Sequence, residues 1–172
     1  MRGSGQWITR YDPETKKVTH YNAINGDAQA TQAVSGGFMS REGVLWITTW
    51  SGNIYRVDPF HPNIGHHSTG SIVDAIHEDR SGILWVGTFL GEGLLRIDRA
   101  KGSLKKYLNE SPPDRFFDSW ITAFYEGMDD TLWIGSGNGL YLFDRKKQTF
   151  IKLYRNNPNN ERSLSKGFVT AI

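Results

Sequence analysis

The chain has 172 residues, 38% of them hydrophobic and 13% aromatic, enough for a packed core and too apolar for a disordered protein. Its 20 basic and 18 acidic side chains nearly cancel, so no strong field argues for nucleic acid or an anionic membrane as partner. With no cysteine there is neither a disulfide framework nor a thiolate metal site, and no apolar run is long enough to span a bilayer or to serve as a signal-peptide core.

Residues 1–5, "MRGSG", read as a tag or flexible lead-in. After them "WITRYD" and the segment to residue 34 read as the closing strands of one β unit. Three fuller units follow at 35–71, 72–119 and 120–167, each with a Leu-Trp pair in its second strand: Trp46, Trp85 and Trp133, spaced by 39 and 48 residues. An Asp closes the third strand of every unit, at Asp12, Asp58, Asp98 and Asp144, with spacings of 46, 40 and 46. Two markers in one register define an internal repeat of the length expected for the blade of a β-propeller rather than a helical solenoid.

The unit at 72–119 is the clearest. "SIVDAIHED" alternates and turns at "RSG", "ILWVGT" is a second strand, "LLRID" a third, and "LKKYL" a fourth beyond the turn "RAKGS". A sheet of four short strands with apolar residues on both faces needs a neighbour on each side. Leu84 and Trp85 point to opposite faces, so one pair serves two neighbours. Gly87 and Gly135 leave room where sheets approach, and the closing Asp suits an Asx-turn into the fourth strand. Residues 168–172, "FVTAI", match "IVDAI" and "WITAF" and read as the first strand of another unit. The fold class is therefore all-β, a partial propeller of about three whole blades plus terminal fragments. Its two terminal pieces lack a second strand between them, and their open edges favour self-association.

"HEDRSGILWVGT", set within "VDAIHEDRSGILWVGTFLGEGLLRIDRAKGSLKKY" and its siblings, resembles the two-component regulator propeller repeat, and the resemblance extends over nearly all of the chain after residue 5. It implies a periplasmic, non-enzymatic input segment of an inner-membrane receptor whose output is a histidine kinase or diguanylate cyclase. Membrane attachment would come only through other parts of such a receptor. The chain departs from the pattern at "TTWSGN", at the short "SGNG", and at "GMDD" where "EDRSG" is expected.

In a four-stranded blade the connections from second to third strand, and from fourth strand to the next blade, emerge on one rim. That rim gathers Trp50, Phe89 and Glu92 with Arg115, Phe116, Phe117 and Trp120 from the long segment "NESPPDRFFDSW". An aromatic set with a few charges suits stacking on an oligosaccharide or peptide, and it equally suits plugging the gap between blades. Trp120 directly precedes "ITAF" and reads as packing beneath the loop, which leaves Trp50 as the better contact. The turns of the other rim, "RSG", "PETKK" and "RKKQ", read as plain. His61, His66 and His67 lie on a hairpin and strand that send neighbours to opposite faces, so no metal site is expected; His77, where Phe38 and Tyr125 fall in the other units, reads as packed or channel-lining rather than catalytic. The basic run "DRKKQTFIKLYR" reads as a solvated blade edge. No cofactor is implied. Three functions remain open: a ligand-binding sensor segment, a propeller-scaffold enzyme (lyase or glycoside hydrolase) using Glu92, Asp114 and Asp118, and a purely structural docking wheel.

Overall fold

The computed structural model describes residues 8–21, 34–58, 65–89, 93–107 and 120–172. Every regular element in them is a β-strand, and the chain divides into two compact units, Met1–Ile72 and Val73–Ile172.

The first unit holds a hairpin, β1 (Ile8–Tyr11) with β2 (Val18–Tyr21), and a four-stranded antiparallel sheet of β3 (Val34–Met39), β4 (Leu45–Thr49), β5 (Asn53–Val57) and β6 (Gly65–Ser68). Trp46 is buried on β4, and Ile47 and Tyr55 face each other across β4 and β5 between Leu45 and Val57. Ser40 caps the first turn by accepting the Val44 amide on its hydroxyl at 3.1 Å.

The second unit is two such sheets. One runs β7 (Ile72–Glu78), β8 (Leu84–Phe89), β9 (Leu94–Asp98) and β10 (Ser103–Tyr107); the other runs β11 (Ile121–Glu126), β12 (Thr131–Ser136), β13 (Gly139–Asp144) and β14 (Thr149–Tyr154). In each, strands are hydrogen-bonded in chain order, as the repeat requires. Their common core joins Trp85, Leu94 and Tyr107 of the first sheet to Ile121, Leu132, Ile134, Tyr141 and Phe143 of the second. Leu84 and Trp85 are both fully buried, as adjacent positions on opposite faces of an inner strand should be. Each such side chain contributes roughly 1.5–3 kcal/mol by leaving water.

Two repeated details explain the spacing of the motifs. A Cβ on Gly87 would overlap the Ile121 side chain, and one on Gly135 would overlap Val169, so the small residue after the tryptophan lets the next segment lie against the strand. The aspartate closing the third strand takes the Asx-turn role: Asp12 accepts the Glu14 amide at 3.0 Å, Asp98 the Lys101 amide at 3.2 Å, and Asp144 the Lys147 amide at 2.8 Å.

Residues 155–172 carry no strand. The segment 168–172 nonetheless begins as a first strand would: the Val169 amide donates to the Ser136 carbonyl at 3.0 Å, and the Thr122 hydroxyl donates to the Val169 carbonyl at 2.6 Å. Ladder pairing beyond that point is absent among the described residues.

Candidate functional site

Strand order puts the connections of the second unit at two ends of its sheets. At the end that carries the β8–β9 and β12–β13 connections, Phe89 closes β8 and forms an isolated bridge with Trp120. Their rings meet edge to face at 4.6 Å, and Phe168 meets the Trp120 ring edge to face at 4.7 Å. The Trp120 indole N–H donates to the Asp74 carboxylate on β7. Phe89 and Trp120 are thus brought together, both half-buried, in a stack that is held by the fold as well as exposed at its edge. Trp50 sits in the first unit, in the turn between β4 and β5, and is 51% exposed. That turn is stiffened beneath it by a Thr49–Ser51 hydroxyl contact at 2.9 Å and by the Gly52 amide donating to Thr49 at 3.0 Å. Glu92, Arg115, Phe116 and Phe117, with Asp114 and Asp118, lie outside the described residues, as does His61. His66 and His67 pair with Tyr55 and Ile54 in the β5–β6 ladder, and His77 packs 6.3 Å from the Phe124 ring. Among the described residues no group of three His, Asp or Glu side chains is placed to hold a metal ion.

The opposite end, whose turns read as plain in the sequence, carries a buried charge network. Asp79, 2% exposed, opens the β7–β8 turn. One of its oxygens accepts the Ser81 amide at 2.9 Å, the Ser81 hydroxyl at 2.6 Å and the Ile83 amide at 3.1 Å. The other accepts the Trp85 indole N–H at 2.8 Å and pairs with Arg145, 3.0 Å away on the neighbouring sheet. Arg145 also pairs with Glu126 at 2.7 Å, and Glu126 accepts the Arg80 amide at 3.0 Å, so acid and base alternate across both sheets. Burial pushes the Asp79 carboxyl up, but the bonds from Ser81, Trp85, Ile83 and Arg145 outweigh it and hold the group below the usual carboxylate range. Beside the network opens a cavity of about 340 Å³, bounded by Arg96, Asp130 and Lys146 as well as the clasp itself.

Half of this arrangement repeats. Arg99 follows Asp98 as Arg145 follows Asp144; it pairs with Glu78 and donates to the Gly82 carbonyl at 3.3 Å, just as Arg145 reaches Glu126 and donates through Nε to the Asp130 carbonyl at 3.3 Å. The extra bond from Arg145 to Asp79 ties one sheet to the next. A second bridge comes from Gln148, whose amide oxygen accepts Lys105 Nζ at 2.7 Å and the Tyr107 hydroxyl at 2.9 Å. Burial raises the Tyr107 phenol above its ordinary range, against the opposing charge of Arg96. Nothing in single-residue patterning marks Arg145 or Glu126; the usable signal was the "ED" of "HEDRSG", two acids placed where a turn begins and an indole follows six residues later.

The segment from β6 to the end of β8 contains Asp79, its turn and Trp85, and residues 67–89 match the family model described as two component regulator propeller. The chain carries a two component regulator propeller repeat. Curated proteins contain no match to it. Among solved structures it is similar to the extracellular domain of a hybrid two component system from B. thetaiotaomicron, with 23% identity, a TM-score of 0.73, and coverage of 98% of this chain and 22% of that one. A second such domain from the same organism gives 17% identity and a TM-score of 0.75 with the same coverage. Virginiamycin B lyase from Staphylococcus aureus gives 18% identity, a TM-score of 0.68, and coverage of 90% and 50%. The likeness establishes the fold: the four-stranded sheets are propeller blades, and the chain spans about a fifth of the length of the extracellular domains it resembles.

Proposed function

We propose that this chain is a stretch of the extracytoplasmic sensor region of a two-component signalling receptor, and that it acts by binding rather than by catalysis. The observation that carries the reading is the propeller repeat at residues 67–89, supported by fold likeness to extracellular domains of hybrid two component systems. Rigid blades suit this role because their cores are independent of the connections, which can vary in chemistry at no expense to packing. The ligand contacts are those the repeat pattern assigns to one set of blade connections, Trp50, Phe89, Glu92, Arg115, Phe116, Phe117 and Trp120, and an amphipathic oligosaccharide or peptide suits their aromatic character. Occupancy then biases how two receptors associate, and so sets the output of a kinase or cyclase.

The test is calorimetry on the receptor's whole extracellular domain against oligosaccharide and peptide panels, repeated with Trp50→Ala and Phe89→Ala. The reading expects binding that weakens at least ten-fold in one of these variants; ligand-independent behaviour across both panels sinks it. Likeness to the lyase supports a second reading, in which Glu92, Asp114 and Asp118 work on a bound substrate. Mass spectrometry of the same incubations decides between them, since turnover abolished by substituting those three carboxylates would establish the enzyme.

A further inference from the structure

At the end of the second unit's sheets opposite the Phe89–Trp120 stack, the cavity of about 340 Å³ beside the Asp79 clasp lies between two four-stranded blades, β7–β10 and β11–β14. Its size is at the small end of the ~300–1,000 Å³ typical of small-molecule sites. The hydrogen-bonding groups that face it are unequally engaged. The three carboxylates in its wall are taken up by the protein's own donors: Asp79 by Ser81, Ile83, Trp85 and Arg145, Glu126 by the Arg80 amide and Arg145, and Asp130 by Lys146 at 2.6 Å and Arg145 at 3.5 Å.

The donors are not used up. A guanidinium carries five N–H groups and an ammonium three. Arg96, on β9, donates to Asp98 at 3.3 Å, while the Arg80 guanidinium, with 53% of its side chain exposed, stands 3.8 Å from Glu126, beyond hydrogen-bonding range. Lys146 turns to Asp130 and keeps 78% of its side chain exposed. Among the described residues, the capacity left in the wall is therefore positive and donor-only, and its complement is an acceptor that carries negative charge. The blade itself does not need the Arg96 cation. An Arg–Asp pair recurs at Arg56 and Asp58, but Leu142 holds the same place on β13, opposite Trp133 as Arg96 is opposite Trp85. Half-buried Ile83 adds an apolar contact.

We propose that this cavity binds a small oxyanion, the carboxylate of a sugar acid or a sulfate or phosphate group, with the Arg96 and Arg80 guanidinium groups as its main contacts and Lys146 adding charge from the neighbouring blade. Arg80 and Arg96 belong to one blade and Lys146 to the next, so the bound anion spans the same seam as the Asp79–Arg145 pair and stabilises the two blades against unfolding.

The Trp85 indole N–H, bonded to Asp79 in the cavity wall, is the reporter. The 172-residue chain, with isotope-labelled tryptophan, is titrated in separate NMR experiments with galacturonate, inorganic sulfate and inorganic phosphate, and with glucose and chloride as controls at matched ionic strength. A saturable shift of the Trp85 signal is expected with at least one oxyanion, while the signal of Trp50, in the other unit, stays still. Saturation by galacturonate assigns the site to carboxylates; saturation by sulfate or phosphate alone assigns it to tetrahedral anions. Arg96→Leu should weaken binding at least about ten-fold and Arg80→Gln about three-fold. Both variants should fold, since Leu142 already serves at the first position and the Arg80 amide keeps its bond to Glu126. No saturation by any of the three anions up to about 10 mM overturns the proposal. An equal response to glucose or chloride overturns it as well, as does binding indifferent to both substitutions.

Discussion

Asp79→Ala removes a single acceptor group that serves three turn donors, the Trp85 indole and Arg145. A hydrogen bond to a charged group contributes ~1.5–3 kcal/mol, and removing one partner of a buried ion pair costs ~3–5 kcal/mol. These figures are not additive here. Ser81 is exposed, so water replaces the carboxylate at its amide and hydroxyl, and Arg145 keeps Glu126 at 2.7 Å. What goes uncompensated is the indole N–H of Trp85, 1% exposed, and the link between sheets. We expect a loss of ~3 kcal/mol for Asp79→Ala and ~2 kcal/mol for Asp79→Asn, which keeps one acceptor oxygen. In urea, with a slope of ~2 kcal/mol/M, the larger loss lowers the midpoint by ~1.5 M. Pairing Asp79→Ala with Arg145→Met in a double-mutant cycle should return a coupling of ~1–2 kcal/mol. A loss below ~1 kcal/mol, or strictly additive changes, would refute the view that this carboxylate clasps two blades.

Acid should release the same clasp. The folded pKa of Asp79 lies below its unfolded value of about 3.9, so its contribution is complete above that value and is lost as pH falls through the folded pKa. Melting temperatures followed from pH 7 downward should fall more steeply below about pH 4 for the wild type than for Asp79→Asn. Gly87→Ala drives a methyl group into Ile121 and should destabilise by ~1–3 kcal/mol, with partial recovery when Ile121 is shortened to Ala; full stability in the single variant would contradict the close approach. Trp50→Ala should leave the unfolding free energy within ~0.5 kcal/mol of wild type, because the turn beneath it is bonded through Thr49, Ser51 and Gly52, while weakening the proposed ligand binding in the intact domain.

The period of the chain was legible from Trp46, Trp85, Trp133 and the four closing aspartates, because a blade must repeat the same buried phrase to cover its neighbour. Strand order, the Asx-turns at Asp12, Asp98 and Asp144, and the small residues Gly87 and Gly135 follow from local chemistry that each unit carries within itself. Only the tertiary structure decided which side chains meet between blades. Asp79 and Arg145 stand 66 residues apart in sequence and 3.0 Å apart in space, and no local pattern records that pairing. The same holds for Phe89 against Trp120, since an alternating strand specifies which face a residue occupies, and packing decides what covers that face.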